Sequence, residues 1–208
     1  MDTKIIKQWK EYIQNKLLPL IKESGSSIEG NIYSPHKQLL EKNNLLEQKQ
    51  QNFLNIISNN TDKTDVLEIG FNAGYSSLLM LMCNPNIKLT AIDINIHKYT
   101  EACFNQIKKD FHNIRLITES SLLALPKLIQ ANNAYDIIHI DGDHNARAAT
   151  LDIQNSIKLS KIGSLLIVDD TNMAHINQIC NNLVSNKIAE DLQIKNGEKY
   201  QHRFMKII

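Results

Sequence analysis

"VLEIGFNAGYSSLLML" occupies residues 66–81. Val66, Leu67 and Ile69 are strand formers, Gly70 and Gly74 interrupt them, and from Ser76 onward apolar residues recur at helical spacing. A charged residue, Glu68, sits inside this short apolar run. A strand that breaks on glycine and restarts as a helix is a βα unit of a parallel sheet. Its turn borders the crevice at the carboxyl ends of the strands, where such sheets bind ligands. Glycines there permit a tight turn and the close approach of a ligand. The spacing is Glu-x-Gly-x-x-x-Gly, not the Gly-x-Gly-x-x-Gly that holds a pyrophosphate on helix amides. An acid at the turn repels phosphate and favours an ammonium or hydroxyl, so Glu68 points to a cationic, phosphate-free ligand. The bland alternative is a partly exposed acid beside a structural glycine pair.

After residue 65 the chain alternates between two periodicities. Strands are expected at 65–69, 87–93, 114–118, 135–141 and 164–169, and helices at 75–82, 96–110, 121–131, 145–160 and 173–187. Near-continuous apolar strands separated by helices imply a mostly parallel sheet covered on both faces. Residues 188–195 and 200–207 read as two further strands joined by a hairpin turn at Asn196-Gly197, so the seven-stranded sheet ends on an antiparallel strand. Upstream, Ile5, Trp9, Tyr12, Ile13 and Leu17 share a helical face that Pro19 disturbs or ends. A turn-rich linker (23–30) follows, then a helix from Pro35 to about Ser58 carrying Leu39, Leu46, Phe53 and Ile57 on one face. The expected organisation is an N-terminal helical segment, 1–60, acting as a cap or an oligomer contact, and a ligand-binding domain, 61–208.

Composition narrows the function classes. Lys and Arg total 23 against 22 Asp and Glu, so no global field attracts nucleic acid or an anionic membrane. No stretch approaches the ~18 uncharged apolar residues of a membrane span, and the charged N-terminus is not a signal peptide. Cys83, Cys103 and Cys180 are odd in number and form no CxxC pair, so a disulfide framework or zinc knuckle is not indicated. The expectation is a cytoplasmic protein with free thiols.

The strand ends carry the chemistry. Asp93 closes the second strand, 23 residues after Gly70, near the position from which an acid grips a ribose. The fourth strand ends in "YDIIHIDGDHN", with Asp141, Asp143 and His144 at its tip, and the fifth in "LLIVDDTN", with Asp169 and Asp170. Neighbouring strands lie about 4.8 Å apart, which would bring Asp141 and Asp169 into one small volume with Asp170 close by. Carboxylates so gathered repel one another unless a cation neutralises them, and hard oxygen ligands suit Mg²⁺. The competing assignment has these acids capping helices or receiving an ammonium group. His139, on the same side of its strand as Asp141 by alternation, reads as a hydrogen-bonded core histidine.

The glycine turn followed by the acid of the second strand resembles the class I S-adenosylmethionine-dependent methyltransferases over roughly residues 60–208. The resemblance implies a Rossmann-like α/β fold in which Glu68, Gly70, Asn72, Gly74 and Ser76 form the loop around the methionine portion and Asp93 holds the ribose. It places Ser120 and Ser121, in "TESSLLALP", beside the adenine, although that pair equally suits a helix cap. "IDGDHN" followed by "VDD" looks closest to the metal-dependent macrocin-type and catechol-type O-methyltransferases. That likeness implies Asp141, Asp169 and Asp170 as ligands of Mg²⁺ or another divalent cation. Asp141 and His144 are then the catalytic candidates, and both also stand where they can touch the cofactor. Where catechol-type enzymes commonly carry a lysine, this chain has His144, which leaves the general base open. The implied function is methyl transfer to a hydroxyl of a small molecule, with no nucleic-acid or membrane partner and a possible homodimer through the amphipathic first helix. The rivals are a metal-independent N- or RNA methyltransferase and a non-catalytic S-adenosylmethionine-binding protein.

Overall fold

The computed structural model describes residues 3–27, 44–192, 194 and 202–208. The first helical stretch does not stop at Pro19. Helix α1 (Thr3–Tyr12) passes through a π-helical turn, Ile13–Leu17, into α2 (Leu18–Glu23). Proline has no N–H to give the carbonyl four residues earlier. The chain widens before it, with the Leu18 amide reaching back to the Ile13 carbonyl, so Pro19 disturbs the helix without ending it. Helix α3 covers Asn44–Ser58; the expected stretch from Pro35 to residue 43 lies outside the described residues.

Alternation of strands and helices then runs as the periodicity requires. It comprises β1 (Asp65–Ile69), α4 (Tyr75–Cys83), β2 (Lys88–Asp93), α5 (Thr100–Asp110), β3 (Ile114–Thr118) and α6 (Ser121–Gln130). These are followed by β4 (Tyr135–Ile140), α7 (Ala146–Lys158), β5 (Ser160–Val168), α8 (Ala174–Ser185), β6 (Ala189–Asp191) and β7 (Arg203–Ile207). The seven strands form one sheet in the order β3-β2-β1-β4-β5-β7-β6, with only β7 antiparallel to its neighbours. Strand order reverses between β1 and β4, so the ligand crevice of such a sheet opens at the carboxyl ends of β1, β2 and β4.

Alternate side chains feed two cores. Val66, Ala91, Ile137 and Ile167 pack with Trp9, Ile13, Phe53 and Leu78 on one face. Leu67, Ile92, Ile138 and Leu166 pack with Leu125, Ile153 and Cys180 on the other. Buried residues on both faces explain why the strands read as nearly continuous apolar runs. No helix among the described residues is long and apolar enough to cross a membrane.

Several boundaries differ from expectation. Helix α5 starts at Thr100 rather than 96, because Asp93 Oδ1 accepts the Asn95 amide at 2.7 Å and Asn95 has φ +61°, turning the chain before it can wind. Helix α7 stops at Lys158 and β5 begins at Ser160. Between Tyr135 and Ile137 the β4–β5 register slips, and Gly163 adopts φ +83°, so a bulge separates the two parts of β5. Strand β6 is three residues long, and the Asn196-Gly197 turn lies outside the described residues.

Candidate active site

The glycine turn is built by close approach of backbones. Gly70 has φ +94°, and a Cβ there would stand 1.9 Å from the Asp141 carbonyl oxygen, so the ends of β1 and β4 meet only because residue 70 has no side chain. Gly74 also has positive φ, but its Cβ would strike the Phe71 ring and Ile107. Its smallness serves helix packing, not ligand approach. Asp93 accepts the amides of Phe71 (3.0 Å) and Asn72 (2.7 Å) on Oδ2, which ties the end of β2 to the turn. Asn72, at φ +52°, accepts the Tyr99 hydroxyl at 2.7 Å.

Beyond this turn opens a cleft of about 440 Å³. Gly70, Asn72, Asp93, Ser120, Ser121 and Asp141 line it, and Asp143 and His144 stand at its rim. Ile94, Leu122 and Ala148 supply apolar wall. Ser120 doubles as the N-cap of α6, its hydroxyl accepting the Leu122 amide at 3.3 Å. His144 is exposed, and its carbonyl accepts a hydrogen bond from His175.

Three of the expected loop residues, Glu68, Gly74 and Ser76, do not line this cleft. Glu68 is wholly buried. Its carboxylate accepts the hydroxyls of Ser76, at 2.5 Å, and Ser77, and the Nδ1–H of His139 at 2.9 Å. Register explains the difference. Glu68 pairs directly with His139 across β1 and β4, and its side chain points into the face covered by α4, not along the strand toward its end. Glu68 and Ser76 therefore form an internal network and not a ligand contact.

That network orients a second cluster. With Nδ1 committed to Glu68, the Nε2 of His139 is left buried with no hydrogen-bond partner. Ligand atoms of His139, Asp141 and Asp169 lie within 4.8 Å of one another. Asp170 does not join them. It follows Asp169 at φ +56° and lines a small recess together with Asp141, Asp143, His144 and Asp169. Of the expected trio, Asp141 and Asp169 group most closely with His139, and Asp170 borders the recess beside them. A histidine read as a core residue is the third member. Its signal in the sequence was its position two residues before Asp141, on the same side of β4.

Lys49, reaching down from α3, completes the arrangement, with Nζ 2.5 Å from Asp169 Oδ1 and little exposure of either side chain. Nothing in the sequence pairs these residues, 120 positions apart. Electrostatics follow from the crowding. Removal from water and the Asp169 charge push the Asp141 carboxyl up to about 8, while His139 and Lys49 draw it down. Asp141 is open to the cleft, so the part of this rise that survives hydration is the like charge of Asp169. Burial works against a charged His139, but the carboxylates of Glu68, Asp141 and Asp169 prevail and hold its pKa above the ordinary value. A partnerless imidazole nitrogen facing two carboxylates is a donor set that fits a divalent cation. The Glu68 carboxylate behind it is the usual orienting partner of a metal-bound histidine.

A family model described as a methyltransferase domain matches residues 67–171, half of the chain, from β1 through the tip of β5. The chain belongs to this methyltransferase family. Every cleft residue named above lies within the matched span. A search of the curated proteins finds no match. Among solved structures, this methyltransferase is similar to the O-methyltransferase of Bacillus cereus in complex with SAH (S-adenosylhomocysteine), at 16% identity and TM-score 0.64, covering 98% of this chain and 99% of that one. It is similar also to the O-methyltransferase TomG of Streptomyces achromogenes in complex with SAM, at 16% identity and TM-score 0.60, covering 77% and 79%. At such identities the likeness establishes the Rossmann-like class I methyltransferase fold.

Proposed function

We propose that this methyltransferase takes S-adenosylmethionine in the cleft at the ends of β1, β2 and β4 and methylates a hydroxyl of a small molecule, assisted by a divalent cation. The observation that carries this reading is the cluster of His139, Asp141 and Asp169 beside the cleft. S-adenosylmethionine supplies a methyl on a sulfonium, which an oxygen takes by in-line displacement as the carbon–sulfur pair leaves with sulfur. A cation held by Asp141, Asp169 and His139 supplies Lewis acidity that lowers the pKa of an acceptor hydroxyl. The imidazole donor shifts preference from Mg²⁺ toward Mn²⁺ or Zn²⁺.

The chain's own groups do the rest. Asp93 retains lone pairs for the ribose hydroxyls beyond those used on the turn amides. Asp141 and His144, near the opening, are the groups to receive the acceptor's proton. Asn72, Ser120 and Ser121 supply polar contacts to the remainder of the cofactor. The apolar wall excludes water, so acceptor and methyl are held at near-attack distance, about 3–3.5 Å.

The test is transfer of labelled methyl to a panel of diols, catechols and sugars, with and without EDTA. The expected result is turnover lost in EDTA and restored by Mn²⁺ or Mg²⁺. Asp93→Ala should weaken SAH by ~1.5–3 kcal/mol in a calorimetric titration, the range for hydrogen bonds to charged groups. An unchanged affinity would remove Asp93 from the ribose site. One observation favours a second reading, a metal-independent methyltransferase: the Lys49 ammonium already sits against Asp169. Full turnover in EDTA together with loss of activity in Lys49→Met would select it.

A further inference from the structure

Lys49 carries a nearly enclosed ammonium that the chemistry above leaves with donors to spare. Its side chain is 13% exposed, and Asp169 is the only acceptor it meets among the described residues. An ammonium has three N–H groups, so two remain open where little water reaches. The place of this group is fixed by the helix that carries it. Lys49 lies one turn before Phe53, on the same face of α3. The Phe53 ring packs edge-on against His139, with centroids 4.9 Å apart, so the same face holds the ammonium over the cluster. Its field reaches beyond Asp169. Burial and the Asp169 charge raise the carboxyls of Asp141 and Asp170, and the Lys49 ammonium draws both down.

Asp169 divides its two oxygens. Oδ1 accepts Lys49 at 2.5 Å and the Asp170 amide at 2.9 Å, which uses the two lone pairs of that oxygen. Oδ2 has no hydrogen-bond partner among the described residues, and the buried Nε2 of His139 has none either. A cation taken by Asp169 Oδ2 and His139 thus leaves the ammonium where it is, with two positive groups across one carboxylate. Charges removed from water need a counter-charge close by, so this pair calls for a further anion. A neutral diol that gives both oxygens to the cation leaves the ammonium N–H groups unmet. A hydroxy acid meets them, because its carboxylate offers a second oxygen that accepts a charge-assisted hydrogen bond from Lys49. We propose that Lys49 is a specificity-determining residue that selects acceptors carrying a carboxylate next to the hydroxyl to be methylated. This inference rests on the reading of the cluster as a cation site for methyl transfer to oxygen.

The experiment measures binding by calorimetry in the presence of S-adenosylhomocysteine and Mn²⁺. Two matched pairs are compared, 2-hydroxybenzoate with 2-hydroxybenzamide and 2-hydroxybutanoate with its amide. In at least one pair wild type should bind the acid about tenfold or more tightly than the amide, as for a hydrogen bond to a charged group. Lys49→Met should bring that ratio close to one and yet bind Mn²⁺ itself more tightly than wild type. Lys49→Gln carries the same comparison if Lys49→Met does not fold. These opposite changes separate selection of the acceptor from mere support of α3, whose loss would weaken acid, amide and Mn²⁺ alike and overturn the inference. If Mn²⁺ binds neither wild type nor the variants, the cation reading falls and this inference with it. If Mn²⁺ binds and neither acid is preferred over its amide, or the variants keep the preference, the inference alone is overturned.

Discussion

Glu68 and His139 act as one unit at the scale of single side chains. The carboxylate is fully enclosed and receives two serine hydroxyls and an imidazole N–H, which makes it tolerable at the centre of an apolar strand. Removing one member strands the others in a dry interior. Glu68→Ala should cost about 3–5 kcal/mol of stability, as for breaking a buried ion pair, measured as a fall in the urea midpoint. A loss below about 1 kcal/mol, the scale of an ordinary exposed pair, would show that the network is not a unit. Asp136 gives a pH-dependent counterpart. Removal from water would raise its pKa, but Lys161 and the amides of Asp65 and Thr64 outweigh that and hold it below the usual carboxylate range. A depressed folded pKa means its contribution is complete above the unfolded value, about 3.9, and is lost as pH falls through the folded one. Asp136→Asn should therefore be less stable by about 1–2 kcal/mol at neutral pH. The difference from wild type should vanish as the solution is acidified below the carboxylate range. The oddity of Glu68 was legible in the sequence. Its partner was not, because strand register between β1 and β4 is set by tertiary pairing and not by local pattern.

Among elements, the turn between β1 and α4 carries the most constraint. Gly70→Ala sets a methyl against the Asp141 carbonyl, which is backbone and cannot yield. Gly163→Ala meets nothing within 4 Å and suffers only its positive φ. The second should cost about 1–2 kcal/mol, the left-handed penalty, and the first clearly more, with the two melting temperatures as the check. Equal losses would mean that the meeting of β1 and β4 is not tight. The strands and helices of the sheet were readable because apolar periodicity is a local property. The shifted starts of α5 and β5 were not, because an Asp93–Asn95 turn and a bulge at Gly163 override that periodicity. The aspartates at the strand tips were readable as candidates, but which groups converge most closely was not: His139 joins Asp141 and Asp169, with Asp170 bordering the recess beside them.

Over the whole molecule, the sheet divides two cores, and the acidic cluster opens on the side covered by α3, which delivers Lys49. A cation entering the cluster competes with that ammonium for the Asp169 carboxylate. Metal binding should nonetheless stabilise the folded state by linkage, about 2.7 kcal/mol at a hundredfold excess over Kd. Mn²⁺ should accordingly raise the melting temperature of wild type, with a larger rise in Lys49→Met and none in Asp169→Asn. An equal rise in wild type and Asp169→Asn would place the ion elsewhere. No sequence pattern announced this contact between α3 and β5, because the helix gains its place only when the chain is compact.

The N-terminal helix also carries a natural optical probe. Trp9 is the one tryptophan of the chain, has no solvent exposure, and donates its indole N–H to the carbonyl of Tyr75 at 2.7 Å. Tyr75 is the first residue of α4, immediately after the glycine turn. Its fluorescence should be blue-shifted in the folded protein and shift to the red when α1 lifts from α4, before the circular dichroism of the sheet is lost. A ligand that settles on the turn should alter the same emission, so one unlabelled chromophore reports both the docking of the helix and the filling of the cleft.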